Sequence, residues 1–248
     1  MAMHENRDDD RSDSVTAVRL TNIYKRFGRT EALKGMSFRV LKGERVALLG
    51  PNGAGKTTTL KVAVGLLQPD AGEVRIYGDT NYNSRSLFGY LPEDAVPYMN
   101  LSVEENLEYI GALREIGDAD RRAETLVDIL NLKQYRKIRC SKLSRGNKQK
   151  LCIALSLIHK PQLLILDEPL SYLDIPTQET VIDMLQKEFD TILLSTHIMS
   201  IATRLTDSII MIANGQTVWE GTKKQLEELG KPDEPIEKLV GRMMRSVS

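Results

Sequence analysis

A glycine-rich segment between an apolar run and a helical pattern constrains this chain more than any other feature. It follows the apolar residues 46–49 and reads Gly50, Pro51, Asn52, Gly53, Ala54, Gly55, Lys56, Thr57 and Thr58. This is the pattern G-x-x-x-x-G-K-[ST], whose glycines let backbone N–H groups turn inward around an anion in front of a helix N-terminus. Lys56 would reach the β- and γ-phosphates, and the Thr57 hydroxyl would help to hold Mg²⁺. The strand-loop-helix context favours this interpretation over a glycine-rich turn without a ligand, and it predicts a nucleoside triphosphate site followed by a helix over residues 58–65.

Charge and composition exclude several classes of protein. The 34 Lys and Arg side chains balance the 34 Asp and Glu side chains, so the formal net charge is +0. No overall field favours nucleic acid or an anionic membrane surface, and we expect no nucleic-acid partner. The apolar content of 41% in 248 residues is ordinary for a globular protein with one large core or a main domain with an insertion. No run approaches the roughly twenty apolar residues that a membrane span needs.

The two cysteines, Cys140 and Cys152, are the chain's only thiols. Their separation fits neither a disulfide framework nor a paired zinc-binding motif. We expect both to be buried or partly buried thiols, which suits a reducing cytosol.

The order of apolar patterns predicts an α/β protein. Residues 1–14 are polar and charged and are expected to form a disordered tail. Alternating apolar residues then predict two antiparallel strands before the glycine-rich segment, the second of them around residues 36–40. Phe27 ends the first of these patterns and could stack on an adenine ring, although an aromatic residue at a strand end is more often part of a core. Position alone does not decide between these two roles.

A change to helical composition after residue 92 indicates an insertion. Ser102 and Glu105 form a capping-box pattern that predicts a helix start. The side chains expected on the buried face of this helix are Leu107, Ile110, Gly111 and Leu113. A second amphipathic helix is predicted over residues 120–132. We therefore expect a helical subdomain at about residues 92–160 within a domain of residues 15–230, followed by a charged helical tail over residues 231–248.

Acidic residues follow a second apolar strand pattern, at residues 163–166. Such a continuous apolar run is typical of a strand buried on both faces of a parallel sheet, and ligands bind at the carboxyl edge of such sheets. Asp167 would ligate Mg²⁺ there, and Glu168 could orient or deprotonate a water. The pair could also be a helix cap, but the glycine-rich segment upstream favours the catalytic interpretation. His197 follows the next predicted strand, where it is either an ordinary surface or core histidine or a donor to a phosphate.

Together these motifs resemble those of the nucleotide-binding subunits of ATP-binding cassette (ABC) transporters, over about residues 15–229. Residues 50–58 resemble the Walker A loop, residues 143–147 the cassette signature, residues 163–168 Walker B, residues 171–174 the D-loop and residues 195–197 the switch histidine segment. The resemblance implies a P-loop NTPase core with a mainly parallel sheet, an N-terminal antiparallel β subdomain and an inserted α-helical subdomain. It also implies ATP and Mg²⁺ as cofactors.

The resemblance implies a role for each candidate site residue. Glu168 would be the catalytic base, His197 would contact the γ-phosphate, and Phe27 would stack on adenine. In this family two subunits close head to tail, so ATP on one Walker A loop is completed by the signature of the other. The implied contributions across the dimer come from Ser144, Gly146, Asn147 and Asp174. The implied metal ligands are Thr57, Glu93 and Asp167.

Several positions depart from the commonest pattern of the family. Glu93 stands where many members have glutamine, and it resembles the subunits that serve exporters of the drug, polysaccharide and sodium type. Arg145 and Asn147 stand where glycine and glutamine are commonest in the signature, and Tyr172 replaces a small residue of the D-loop. None of these changes removes a catalytic group, and Glu93 favours export as the direction of transport.

The resemblance implies two protein partners. One is a second cassette chain, identical or different, which forms the dimer. The other is a separate transmembrane permease subunit, which we expect to contact residues 93–101, because aromatic and methionine side chains such as Tyr98 and Met99 suit a groove for an apolar helix face. The chain would then be cytoplasmic and peripheral, held at the cytoplasmic face of the membrane by the permease.

Two other functions are compatible with the nucleotide motifs. A soluble ABC-type ATPase of assembly or DNA metabolism would be favoured by a long coiled-coil insertion, zinc-finger cysteines or a second cassette, and this sequence contains none of them. A scaffold that binds ATP without hydrolysing it is disfavoured by Glu168 and His197.

Overall fold

The computed structural model describes residues 15–80, 86–230 and 235–245. The strands in chain order are β1 (Thr16–Phe27), β2 (Thr30–Leu41), β3 (Arg45–Leu49), β4 (Ala71–Ile76), β5 (Phe88–Leu91), β6 (Leu163–Asp167), β7 (Ile192–Thr196), β8 (Ser208–Ala213) and β9 (Gln216–Thr222). The α-helices are α1 (Lys56–Ala63), α2 (Val103–Leu113), α3 (Ala119–Ile129), α4 (Arg145–Leu157), α5 (Ile175–Glu188), α6 (Met199–Leu205), α7 (Lys223–Glu228) and α8 (Ile236–Arg245). Short 3₁₀ helices cover Lys133–Tyr135 and Cys140–Lys142. The chain divides into two compact units, Met1–Arg85 with Asp190–Ser248 and Ser86–Phe189.

The first unit contains an antiparallel sheet and a mainly parallel one. In the antiparallel sheet β1 lies between β2 and β4. In the parallel one β3 pairs with β7 on one side and β8 on the other, and β9 runs antiparallel beside β8. Every residue of β7 is buried, as is expected for a strand covered on both faces. The predicted α/β class, the antiparallel pair before the phosphate loop and the buried parallel strands are confirmed.

The core beside β3 and β8 is completed by helices from later in the chain. Ala47 and Leu49 of β3 and Met211 of β8 pack with α6 and with Leu239 and Val240 of α8. The helix within the predicted C-terminal tail therefore buries apolar side chains in this core, while residues 231–234 and 246–248 of that tail lie outside the described residues. The predicted disordered tail, residues 1–14, also lies outside them.

The second unit pairs β5 with β6 in parallel and carries α2 to α5. The predicted capping box is confirmed, because the Ser102 hydroxyl accepts from the Glu105 N–H and the Glu105 carboxylate accepts from the Ser102 N–H. Cys140 and Cys152 are both buried thiols, also as expected.

Three predictions about helices are wrong in detail. The second helix of the insertion covers Ala119–Ile129 and not residues 120–132. Leu113 does not share the buried face of α2, and its side chain is 64% exposed. It lies two positions beyond the buried Gly111, and thus about 200° around the helix. The helix after the phosphate loop begins at Lys56 and ends at Ala63, not at residues 58 and 65, because the loop turns directly into the first helical turn at Gly55. Within the part of the chain that the structure describes, no helix is both long and apolar enough to span a bilayer.

Candidate functional site

The phosphate loop, residues 50–58, owes its shape to three glycines. A Cβ atom at Gly50 would lie 2.4 Å from the Ile212 carbonyl oxygen of β8, so no larger residue fits there. Gly53 and Gly55 have φ angles of 82° and 105°, in the left-handed region that glycine adopts without strain. Pro51, Asn52 and Gly53 form the exposed part of the loop, and Ala54 is buried beneath it. Gly55 is also a close approach, because a Cβ atom there would lie 2.9 Å from the Ala32 carbonyl oxygen. The three glycines therefore correspond to two close approaches and two left-handed turns.

Lys56 is placed at the centre of this loop. Its side chain is only 7% exposed, and its ammonium group donates to the carbonyl oxygens of Gly50 and Pro51 at 2.8 and 3.2 Å. The first turn of α1 contains no acidic residue. The positive end of the helix dipole and the ammonium group therefore both favour an anion in the loop. A phosphate bound in the loop would exchange these carbonyl contacts of Lys56 for contacts with its own oxygens.

The threonines that follow Lys56 differ in what they can do. Thr57 and Thr58 are half-buried in the first turn of α1. Thr59, by contrast, is fully buried and its hydroxyl donates to the Gly55 carbonyl at 2.9 Å, which makes it part of the helix start. The Thr57 hydroxyl is thus suitably placed in the chain to serve as a metal ligand next to the loop.

Phe27 and His197 belong to the same unit as the phosphate loop. Phe27 ends β1 with 51% of its side chain exposed, and the Lys25 ammonium lies 5.9 Å from the ring centroid. His197 directly follows Thr196, the residue that pairs with Leu49 at the end of β3. The parallel register therefore brings His197 to the sheet edge where the phosphate loop begins, and its side chain is exposed there.

The second unit gathers three carboxylates at one sheet edge. Asp167 is fully buried at the end of β6, and Glu168 follows it with 7% exposure. Leu91 at the end of β5 pairs with Leu166, so the exposed Glu93 follows at the same edge as Asp167. Glu168 has a φ angle of 46°, an uncommon left-handed conformation for a residue with a side chain. The chain therefore turns sharply at Glu168, immediately after the buried aspartate.

The candidate metal ligands have suitable chemistry for magnesium. Asp167 and Glu93 of the second unit offer carboxylate oxygens, and Thr57 of the first unit offers a hydroxyl oxygen. Mg²⁺ is usually bound by one or two carboxylates together with substrate phosphates and water, so the chemistry of each of these groups fits it. When bound, Mg²⁺ would neutralise negative charge on the β- and γ-phosphates.

The signature segment, residues 143–147, lies at the start of α4. Ser144 caps this helix, and its hydroxyl accepts from the Asn147 N–H at 3.3 Å. Ser144 is exposed, and Gly146 and Asn147 are half-buried beside it. The first turn of α4 and the exposed Ser144 therefore lie at the surface, and a helix N-terminus with a hydroxyl beside it suits a phosphate.

Asp174 caps the next helix of this unit, α5. Its carboxylate accepts from the Thr177 N–H at 2.9 Å. Hydrogen bonding to Thr177 lowers the pKa of the Asp174 carboxyl group below its usual value. Asp174 is exposed in this protomer and ionised at neutral pH.

Several side chains near the site have surroundings that the sequence did not reveal. Tyr90 of β5 has a buried hydroxyl without a hydrogen-bond partner among the described residues, and burial, followed by the charges of Asp167 and Asp94, raises its pKa. Gln149 is buried and donates to the Pro169 carbonyl at 2.9 Å. Arg145 stacks on Tyr172 at 3.4 Å from guanidinium carbon to ring centroid. Only the parallel pairing of β5 and β6 could have pointed to Tyr90 in advance.

Comparisons with known proteins identify the class that this fold and these motifs define. Residues 33–171 match the family model described as ABC transporter. An uncharacterized ABC transporter ATP-binding protein of Bacillus subtilis is 36% identical over 213 residues, which cover 84% of this chain and 72% of that protein. The Nod factor export ATP-binding protein I of Ralstonia nicotianae is 33% identical over 86% of this chain and 69% of its own length.

Solved structures agree with these matches. The ATP-binding subunit of an ABC transporter superposes with a TM-score of 0.84 at 30% identity, covering 92% of this chain and 99% of that one. A dimeric ATP-binding cassette in a post-hydrolysis state, bound to ADP and Pi, superposes with a TM-score of 0.76 at 25% identity, covering 83% and 98%.

This chain therefore belongs to the ATP-binding proteins of ABC transporters. It is an ATP-binding subunit of the ABC ATPase type, as the sequence motifs predicted. These comparisons give no support to the alternative of an ABC-type ATPase in assembly or DNA metabolism.

Proposed function

We propose that this chain binds and hydrolyses ATP as one half of a head-to-tail dimer that powers export through a separate membrane subunit. The observation that carries the proposal is that two complementary half-sites belong to different compact units of the chain. The phosphate loop around Lys56 belongs to one unit, and the exposed helix start at Ser144 belongs to the other. In a head-to-tail pair each loop would receive the Ser144 end of the partner.

Within one protomer, each candidate residue has a role that suits its placement. Phe27 stacks on the adenine ring, Lys56 binds the β- and γ-phosphates, and Thr57, Glu93 and Asp167 hold Mg²⁺. Glu168 accepts a proton from the attacking water. The water oxygen bonds to the γ-phosphorus while the bond between that phosphorus and the bridging oxygen breaks. His197 donates an N–H to the γ-phosphate.

Across the dimer, the partner supplies the remaining contacts. Ser144, Gly146 and Asn147 offer a hydroxyl and the backbone N–H groups of the first turn of α4 to the γ-phosphate. Asp174 lies beyond the sharp turn at Glu168 and would couple the two sites. ATP therefore holds the dimer together until it is hydrolysed.

The segment at residues 93–101 is the proposed contact with the membrane subunit. Val96 and Tyr98 are 70% and 50% exposed, and the ring of Tyr98 meets that of Tyr109 edge to face at 4.9 Å. The backbone that carries Tyr98 is fixed, since the buried Asn106 side chain accepts from the Tyr98 N–H and donates to the Tyr98 carbonyl. A rigid exposed aromatic pair suits the apolar face of a partner helix.

Export and location follow from the same proposal. Glu93 is the residue of exporter-type subunits, and two relatives carry export or resistance in their names, the Nod factor export protein and the linearmycin resistance ATP-binding protein of Bacillus subtilis. The chain would act at the cytoplasmic face of the membrane, held there by the permease.

The test combines oligomeric state with hydrolysis. Glu168→Gln removes the base while leaving ATP binding intact, so we expect light scattering to show a dimer with Mg-ATP and a monomer without it. The unmutated chain should hydrolyse ATP, whereas Glu168→Gln should lose about a hundredfold or more in rate. Glu228→Gln, an exposed change on α7, is the matched control and should behave as the unmutated chain. A Glu168→Gln variant that hydrolyses ATP at the unmutated rate would contradict the assigned role.

A further inference from the structure

Arg145 and Tyr172, which both depart from the common pattern of the family, contact each other directly. The guanidinium carbon of Arg145 lies 3.4 Å from the centroid of the Tyr172 ring. This is well inside the distance of about 6 Å at which a cation is attracted to an aromatic face. The contact joins the first residue of α4 to the loop that follows Glu168.

Each of these residues is locally unfavourable where it stands. Arg145 puts a positive charge in the first turn of a helix, where the helix dipole disfavours cations. Tyr172 has a φ angle of 67°, a conformation that glycine adopts without strain, and its ring is 49% exposed. Neither residue suits its own backbone position, so the contact between them is the feature that explains both.

Further contacts hold the same loop against the same helix. A Cβ atom at Gly146 would lie 3.0 Å from the Tyr172 carbonyl oxygen, so the backbones approach closely. Gln149 donates to the Pro169 carbonyl, and from α5 the Gln178 side chain donates to the Leu170 and Leu173 carbonyls. The backbone of this loop already lies between α4 and α5. The stack adds an exposed side-chain contact between the loop and α4.

We propose that the Arg145–Tyr172 stack is a positioning contact that makes the Ser144 end of α4 and the loop 168–174 move as one piece. This inference rests on the proposed function, in which Ser144 meets the nucleotide of one site while Glu168 acts at the other. A shift of α4 caused by phosphate contact with Ser144 is then transmitted through the stack to Glu168 and Asp174. Neither Arg145 nor Tyr172 touches the substrate, and their effect is on the coupling between the two ATP sites.

The decisive variant is Tyr172→Gly. Glycine suits the left-handed backbone at this position but removes the ring. The variant therefore tests the coupling between the ATP sites without a large change in stability. We expect the melting temperature to stay within about 3 °C of the unmutated value, because the relief of backbone strain offsets the lost contact. The maximal rate of Mg-ATP hydrolysis should fall about fivefold or more, and the Hill coefficient for ATP should fall to about 1, since coupling between the sites is lost.

A set of matched variants tests the contact itself. Tyr172→Phe keeps the ring face and should retain the unmutated rate and Hill coefficient. Arg145→Ala should reproduce the losses of Tyr172→Gly, and the double variant Arg145→Ala with Tyr172→Gly should be no worse than either single variant. Losses that add in the double variant, or a Tyr172→Gly protein with unmutated cooperativity, would overturn the inference.

The outcome is distinguishable from failure of the proposed function. If the unmutated chain hydrolyses ATP and Glu168→Gln dimerises with ATP, the proposed ATPase dimer stands whatever the stack variants do. If the unmutated chain neither hydrolyses ATP nor dimerises, the proposed function and this inference both fail.

Discussion

His159 is a largely buried histidine that the proposed mechanism does not use. Its Nε2–H donates to the Phe88 carbonyl at 3.0 Å, while its Nδ1 atom is buried without a hydrogen-bond partner among the described residues. Burial lowers the pKa of this imidazole from its usual value of 6.5, the hydrogen bond to Phe88 opposes that shift, and the charge of Arg114 adds to it. Protonating Nδ1 would thus bury a second N–H that has no acceptor.

This arrangement makes stability depend on pH in a predictable direction. Because the folded pKa lies below the unfolded one, the unfolded chain binds a proton in the interval between them that the folded chain does not. The contribution to stability is complete above a pH of about 6.5 and is lost as the pH falls through the folded pKa. Urea unfolding at about pH 7.5 and 5.5 measures the free energy of unfolding at each pH. Between these two pH values it should fall less for His159→Gln than for the unmutated chain.

The control for this prediction is Gln134→Asn, an exposed change that removes no titratable group. It should keep the pH dependence of the unmutated chain. An unchanged pH dependence in His159→Gln would show that the buried imidazole is not the titrating group.

At the scale of elements, the packing of α4 on β5 depends on the small size of Gly89. A Cβ atom there would lie 2.3 Å from the Ser156 carbonyl oxygen of α4 and 3.0 Å from the Pro161 ring. Helix and strand can approach this closely only because the side chain is absent. The helix whose N-terminus carries the signature segment is therefore positioned partly by a glycine in a neighbouring strand.

Gly89→Ala should consequently destabilise the protein. We expect a loss of about 1–3 kcal/mol in the free energy of unfolding, since the helix backbone must shift to admit the methyl group. Urea unfolding monitored by circular dichroism would measure it. Gly117→Ala is the matched control, because a Cβ there meets no atom within 4 Å, and it should stay within about 0.5 kcal/mol of the unmutated chain. Equal stability of the two variants would contradict the packing argument.

At the scale of the whole molecule, the proposed function requires surfaces that a single protomer leaves exposed. Ser144 and Asp174 are exposed in a chain that would need them at a neighbour's ATP. The aromatic pair Tyr98 and Tyr109 is likewise about half exposed. These surfaces correspond to the two partners in the proposed function, a second cassette and a membrane subunit.

Tyr98→Asp tests the second of these surfaces. A carboxylate on the aromatic pair should weaken docking of an apolar helix, so a smaller fraction of the chain should sediment with the membranes of cells that produce it. ATP-driven dimerisation of the purified protein should not change. Leu66→Asp, at a residue 66% exposed in the other compact unit, is the control and should leave the membrane-bound fraction unaltered. Equal membrane binding by Tyr98→Asp and the unmutated chain would rule out the proposed surface.

The sequence by itself determined the features that arise from local chemistry. The phosphate-loop pattern, the capping box at Ser102 and the fully apolar strands each depend on residues a few positions apart, and their periodicity or spacing is visible without a structure. Leu113 shows the limit of such patterns, because its burial depends on the angle around α2 and on what that helix packs against. The roles of individual site residues remain predictions.

Only the tertiary structure decided which distant residues meet. Gly50 must be glycine because a carbonyl of β8 lies against it, and His197 reaches the phosphate-loop edge through the register of β7 with β3. The stack of Arg145 on Tyr172 joins two positions that the sequence marks only as separate departures from a pattern. Contacts of this kind depend on how strands and helices are placed in space, and local propensity carries no information about that placement.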